Sequence, residues 1–106
     1  MLERQEVSIV SRDFWFKIVE FLQRNWALID GDAAAVIVWF LGDTGGVFDR
    51  LTFSSTSEAE LALMRNGFRR FADDQRAQTF LAPPREPFYQ RPHPNGPIYS
   101  SGRYWK

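Results

Sequence analysis

Between Ser11 and Ile29 the apolar residues recur at three- and four-residue intervals. Wound as a helix at ~100° per residue, Phe14, Trp15, Ile18, Val19, Leu22, Trp26 and Ile29 share one arc. Lys17, Glu20, Gln23 and Arg24 share the opposite arc. Ser11 offers an N-cap and Asp13 an acidic first-turn residue. Asp30-Gly31-Asp32 offers a stop, with Gly31 suited to a left-handed cap. The pattern predicts an amphipathic helix over residues 12–29, with Phe16 stranded on its polar side.

Ala33 to Leu41 is continuously apolar and rich in strand formers from Val36 onward, which predicts a central strand covered on both faces. Gly42 to Gly46 reads as a turn. Val47 to Ser54 follows as a second strand, with Val47, Leu51 and Phe53 on one face and Arg50, Thr52 and Ser54 on the other. So short a link favours an antiparallel hairpin. Upstream, Glu6 to Val10 alternates weakly and could form an edge strand.

Ser57-Glu58-Ala59-Glu60 has the spacing of a capping box and predicts a helix over 58–66. Its apolar stripe would be Leu61, Met64 and Phe68. Asn66-Gly67 is the expected stop, with Gly67 left-handed and Phe68 folding back on the last turn. Residues 68–71 then read as a short strand.

From Asp73 the character changes. All six prolines lie beyond it, at 83, 84, 87, 92, 94 and 97. Proline at that density opposes helices and central strands. The same stretch carries Phe80, Leu81, Phe88, Tyr89, Ile98, Tyr99, Tyr104 and Trp105, which a flexible linker would lack. The reading is a tail that wraps the domain on aromatic anchors and ends in a small hairpin around Ser100-Ser101-Gly102. The expected fold is one α+β domain over residues 1–106. An N-terminal helix packs on a small antiparallel sheet, a second short helix follows, residues 1–72 form the core and 73–106 pack on it.

Composition narrows the chemistry. The 106 residues include 17 aromatic rings, too many for a disordered chain. With no cysteine, thiol catalysis, disulfides and zinc–thiolate sites are excluded. Met1 to Val10 contains Glu3, Arg4 and Glu6 and no apolar signal core. The Ala33–Leu41 run is far shorter than a membrane span needs. The expected location is the cytoplasm, without a membrane partner.

Net charge is zero, yet residues 1–64 hold five Lys/Arg against ten Asp/Glu, and residues 65–106 hold eight against three. The simplest reading is attraction between the two halves within the fold. The others are head-to-tail association and an acidic partner.

Asp43-Thr44-Gly45 resembles the active-site triplet of aspartic proteases, whose chemistry needs two aspartates sharing one proton. The helix predicted before it, the intervening Gly42 and the absence of a later apolar-apolar-Gly segment favour a hairpin turn instead. Gly45-Gly46 leads into a strand and lacks a following Gly-Lys-Ser/Thr, so it is no phosphate loop. His93 is the only histidine, which argues against a transition-metal site. Set in His93-Pro94-Asn95-Gly96, it reads as turn rather than general base. The pairs Asp30/Asp32 and Asp73/Asp74 flank element ends and read as caps. No cofactor or metal is expected.

The remaining signal is the mixture of arginines and aromatics in the C-terminal third. Arg65, Arg69, Arg70, Arg76, Arg85, Arg91, Arg103 and Lys106 interleave with Phe88, Tyr89, Tyr99, Tyr104 and Trp105. Arg and aromatic side chains make binding hot spots, which points to a non-enzymatic protein-interaction module such as an adaptor, inhibitor or immunity-like partner. Its site would comprise Arg91, His93, Tyr99, Arg103, Tyr104 and Trp105. The alternative is a single-strand nucleic-acid binder using the same surface. A third reading is a small enzyme with a pocket under the tail, built from His93, Tyr99 and Arg103.

Overall fold

A computed structural model describes residues 6–20, 23–31, 35–43 and 45–91. Seven strands form one mixed sheet: β1 (Glu6–Val7), β2 (Phe14–Glu20), β3 (Gln23–Gly31), β4 (Val36–Leu41), β5 (Gly46–Phe53), β6 (Arg69–Arg70) and β7 (Phe88–Gln90). Their order across the sheet is β1-β7-β5-β4-β3-β2-β6. All neighbours are antiparallel except β5 and β7, which run parallel. One ten-residue helix, α1 (Thr56–Arg65), follows β5. A 3-10 turn at Phe71–Asp73 and a single helical turn, α2 (Gln75–Gln78), lie between β6 and β7.

The expected N-terminal helix is absent, and with it the small-sheet α+β arrangement. Residues 14–20 and 23–31 form the β2–β3 antiparallel pair, Phe14 opposite Leu28 and Phe16 opposite Trp26. The reason lies in the burial of both sheet faces. Phe14, Phe16, Trp26 and Leu28 belong to one buried cluster, and Trp15 and Ala27 to another. When a strand is covered on both faces, its apolar residues run consecutively and the two-residue alternation disappears. The leftover spacing in Phe-Trp-Phe-Lys-Ile-Val then mimics a helical stripe. Trp, Phe, Ile and Val are also the residue types that pack best on a pleated surface. Phe16, expected outside, is 4% exposed. Gly31 caps no helix; it ends β3 opposite Val36.

β4 and β5 form the expected antiparallel hairpin. The turn closes through Gly42 N–H to Gly46 O at 2.9 Å and Gly45 N–H to Gly42 O at 3.0 Å. Gly45 has φ +86, and a Cβ there would stand 3.3 Å from both Arg85 O and a Phe88 ring carbon. Between the Leu41–Val47 and Phe40–Asp49 pairs β5 carries one extra residue. Such a bulge changes which face later residues meet. Val47 therefore packs in the first cluster, while Leu51 and Phe53 pack against the second, and the single-face assignment of these three fails.

α1 starts two residues earlier than its sequence suggests. Ser55 is the cap, its hydroxyl accepting from Glu58 N–H at 3.1 Å. Glu58 reaches back to accept from Ser54 N–H at 3.3 Å. The box is thus Ser55–Glu58, with the return bond one residue further out than usual. Ala59 and Leu63 face the sheet, whereas Leu61 and Met64 are 56% and 52% exposed. The buried stripe is thus Ala59 and Leu63, not the expected Leu61 and Met64. The stop is as expected: Gly67 at φ +91, Phe68 N–H to Leu63 O at 2.9 Å and Gly67 N–H to Met64 O at 3.2 Å make a Schellman motif.

α1 and Phe68 seal one sheet face over Trp15, Ala27, Val36, Val38 and Phe40. The 71–88 segment covers part of the other, with Ala77, Leu81 and Phe88 packed against Phe14, Phe16, Trp26, Leu28 and Leu41. Trp26 is enclosed by the rings of Phe14, Phe16 and Phe71 at centroid distances of 5.7, 6.0 and 5.7 Å, the Phe14 contact being edge-to-face. No helix among the described residues is long and apolar enough to cross a membrane.

Candidate functional site

Of the residues nominated from sequence, Arg91 alone falls among those described. It follows β7, its N–H donates to Val47 O at 2.9 Å, and its aliphatic stem lies against Gly46. His93, Tyr99, Arg103, Tyr104 and Trp105 lie outside the described residues. So do the expected terminal hairpin and the last three prolines.

Arg91 stands at the rim of a cleft of about 940 Å³ on the partly covered sheet face. Trp39 of β4, Arg50 of β5, Gln90 of β7 and Glu6 and Ser8 from the N-terminal strand line it. Hairpin register builds its floor. Trp39 pairs with Arg50 across β4–β5, so both side chains emerge on one face. Arg50 Cζ sits 5.8 Å from the Trp39 ring centroid. At an exposed site this contact contributes ~0.5–1 kcal/mol, enough to orient the guanidinium and too little to fix it. No carboxylate pairs with Arg50 among the described residues. Trp39 is half-buried against the core, which holds the ring in place while leaving one side toward the cleft.

The carboxylates are arranged differently. Asp49 Oδ1 accepts from Arg50 N–H at 2.8 Å, and Oδ2 is buried. Its charge is turned into the chain. Glu6 is exposed on the outermost strand.

Elsewhere the cross-half attraction expected from charge is realised in side-chain pairs. Arg70 bonds Asp13 through Nε at 2.9 Å and Glu60 through an NH2 at 3.1 Å, and lies over the Trp15 ring at 5.4 Å. Its pKa is raised, first by the Asp13 hydrogen bond, with burial opposing and the Coulombic attraction of Asp13, Glu60 and Asp73 adding. Arg12 pairs with Glu86 in the opposite sense, and Arg69 lies 3.4 Å from Asp74 within the basic third itself. Two arginines of the basic third, Arg69 and Arg70, are thus spent on the fold.

Of the aspartates assigned to turns and caps, Asp74 caps a helix, while Asp43 and Asp30 make longer-range ties, and Asp32 lies outside the described residues. Asp43 Oδ1 accepts from Trp26 Nε1–H at 2.9 Å, tying the hairpin turn to the core. Asp74 Oδ1 accepts from Ala77 N–H at 2.9 Å and caps α2. Asp30 Oδ2 accepts from Val10 N–H at 3.1 Å. No group of three metal-ligating side chains occurs among the described residues.

Trp39 and Arg50 escaped the sequence reading. Their signal was available in the β4–β5 hairpin, where Arg50 alternates with apolar neighbours on a strand beside a tryptophan-bearing one. Compared with protein-family models, curated proteins and solved structures, this chain matches none.

Proposed function

We propose that the protein is a small non-enzymatic interaction module that binds a polypeptide segment in the Trp39–Arg50–Arg91 cleft. The observation that carries this is the Arg50 guanidinium lying over a half-buried Trp39 in an open cleft. A ring anchored by the core contributes apolar contact at little entropic cost, and Arg beside it adds directed donors. Polar Ser8 and Gln90 complete a lining able to meet main-chain amides.

The lining favours polypeptide over nucleic acid. A phosphate backbone selects for several cations free of nearby acids. Here Glu6 shares the cleft, and Arg69 and Arg70 are engaged with carboxylates. A catalytic reading lacks a residue set, since the described lining holds no histidine and its Asp49 carboxylate is committed to a main-chain N–H.

The test is selection of phage-displayed random dodecapeptides on the protein, with Trp39→Ala and Arg50→Glu as counter-selections. Enriched peptides should lose at least about tenfold in affinity on either variant, the loss of a hot-spot contact. No enrichment, or enrichment indifferent to both variants, contradicts the reading. Saturable binding of a dT15 oligonucleotide, abolished by Arg50→Glu, would replace it with the nucleic-acid alternative.

A further inference from the structure

β5 is paired with β4 along its length, but on its other flank β7 meets it only at Gly46 and Val47. Among the described residues no strand covers that flank from Arg50 to Phe53. An open strand edge is a template for another chain unless something covers it. Charge does not choose the cover, because Glu6 and Asp49 share the cleft with Arg50 and Arg91. Chain direction does. β7 runs parallel to β5, and the ladder is still running where the described residues end, since Arg91 N–H donates to Val47 O at 2.9 Å. The chain therefore leaves Arg91 heading along the uncovered flank, with residues 92–106 still to come.

We infer that residues 92–96 add to β5 as a continuation of β7, so that the chain's own tail closes this edge and a polypeptide partner must displace it. The displacement rests on the reading of the cleft as a polypeptide site; the strand does not. The spacing of the prolines carries the inference. In an extended chain the main-chain groups of alternate residues point to opposite flanks. Arg91 points its N–H at β5, so His93 and Asn95 would do the same, and positions 92 and 94 would point away. Those two positions are Pro92 and Pro94. Proline sits in an edge strand where its missing N–H would face solvent, and it blunts that edge against further pairing. Pro97 falls in the inward phase, where the ladder needs an N–H, and ends the run. β5 presents matching groups. Its bulge at Phe48 shifts the phase by one residue, and Arg50 N–H is engaged by Asp49 Oδ1 at 2.8 Å, outside the β4 ladder. Arg50 and Thr52 then turn their main chains to the open flank. His93 N–H would meet Arg50 O, Thr52 N–H would meet His93 O, and Asn95 N–H would meet Thr52 O. The rings of Pro92 and Pro94 share the phase of Phe88, and so the sheet face of Trp39, which puts them beside the cleft.

Amide exchange on the full chain reads this pairing residue by residue. Thr52, His93 and Asn95 should exchange at least about tenfold slower than an unstructured chain, and Gly96, whose N–H points outward, close to that rate. His93→Pro removes an inward donor and should return Thr52 and Asn95 to fast exchange. Pro94→Ala only adds an outward N–H and should leave both slow. Fast exchange at His93 and Asn95 in the unaltered chain overturns the strand. Slow exchange there with a fast Thr52 places the tail elsewhere and overturns its assignment to β5. Protection that survives His93→Pro overturns the proline phase on which the strand depends. For the displacement, dodecapeptides selected on the protein should bind His93→Pro about tenfold more tightly, because the competitor in cis is gone. Equal affinity for the two proteins overturns the displacement. Failure to enrich any peptide overturns the cleft as a partner site, while the exchange pattern alone still decides the strand.

Discussion

The two faces of the sheet are closed by different means. α1 lies across one face as a regular cylinder, and Ala59, Leu63 and Phe68 seal it over Val36, Val38 and Phe40. The opposite face is closed piecemeal by a 3-10 turn, one turn of α2 and an irregular stretch ending at Phe88. That cover reaches Trp26 and Leu41 and stops short of the far side of Trp39. A helix offers a continuous apolar stripe, so it covers or it does not. A patchwork leaves margins, and the cleft is such a margin.

This contrast can be broken by substitution. The largest effect should come from Trp26→Ala on the patchwork face. It removes a fully buried ring held among three others, together with the Nε1–H bond to Asp43. A loss of ~3–5 kcal/mol is expected from urea denaturation, against ~2–3 kcal/mol for Leu63→Ala on the helix face. The reverse order would mean that α1 carries the fold and the patchwork merely decorates it. Next, Ser55→Ala removes the α1 cap and should cost ~1 kcal/mol by the same assay. A null result would show that Glu58 and Ser54 hold the helix start without it. The smallest effect is expected at the margin. Arg50→Ala should change stability by less than ~0.5 kcal/mol, because its guanidinium is exposed and pairs only with a ring face. If Arg50→Ala destabilises as strongly as Ser55→Ala, the residue supports the fold and its claim to a binding role weakens.

Local signals of turn chemistry were legible in sequence where their geometry is self-contained. Asn66-Gly67-Phe68 forms the stop its residues imply, and Gly42 to Gly46 makes the hairpin turn. Both are decided within a few residues by φ and by short-range hydrogen bonds. The identity of 14–31 was not legible. Its side chains satisfy a helical arc by spacing, and only the presence of cover on both faces makes the strand preferable. That cover is supplied by residues 59–68 and 71–88, remote in sequence. Leu61 and Met64 show the same limit at smaller scale, since the sheet takes Ala59 and Leu63, four residues apart on another face of α1, and leaves these larger side chains at the surface. At the site, Arg91 was chosen for its place in an arginine-aromatic series. What gives it neighbours is strand pairing that brings β7 beside β5, which no local pattern announces.

The arrangement of the outer strands has a kinetic consequence. Among the described residues β1 pairs with the sheet only through β7, with Val7 opposite Phe88, roughly eighty positions later in the chain. The N-terminal strand therefore has nowhere to dock until nearly all the described residues have been made and β7 has found β5. Closing so long a loop is entropically slow and contributes little until the last pairing is made. During synthesis the β2–β5 meander can assemble first, and the outer β5 edge stays bare until the parallel strand arrives.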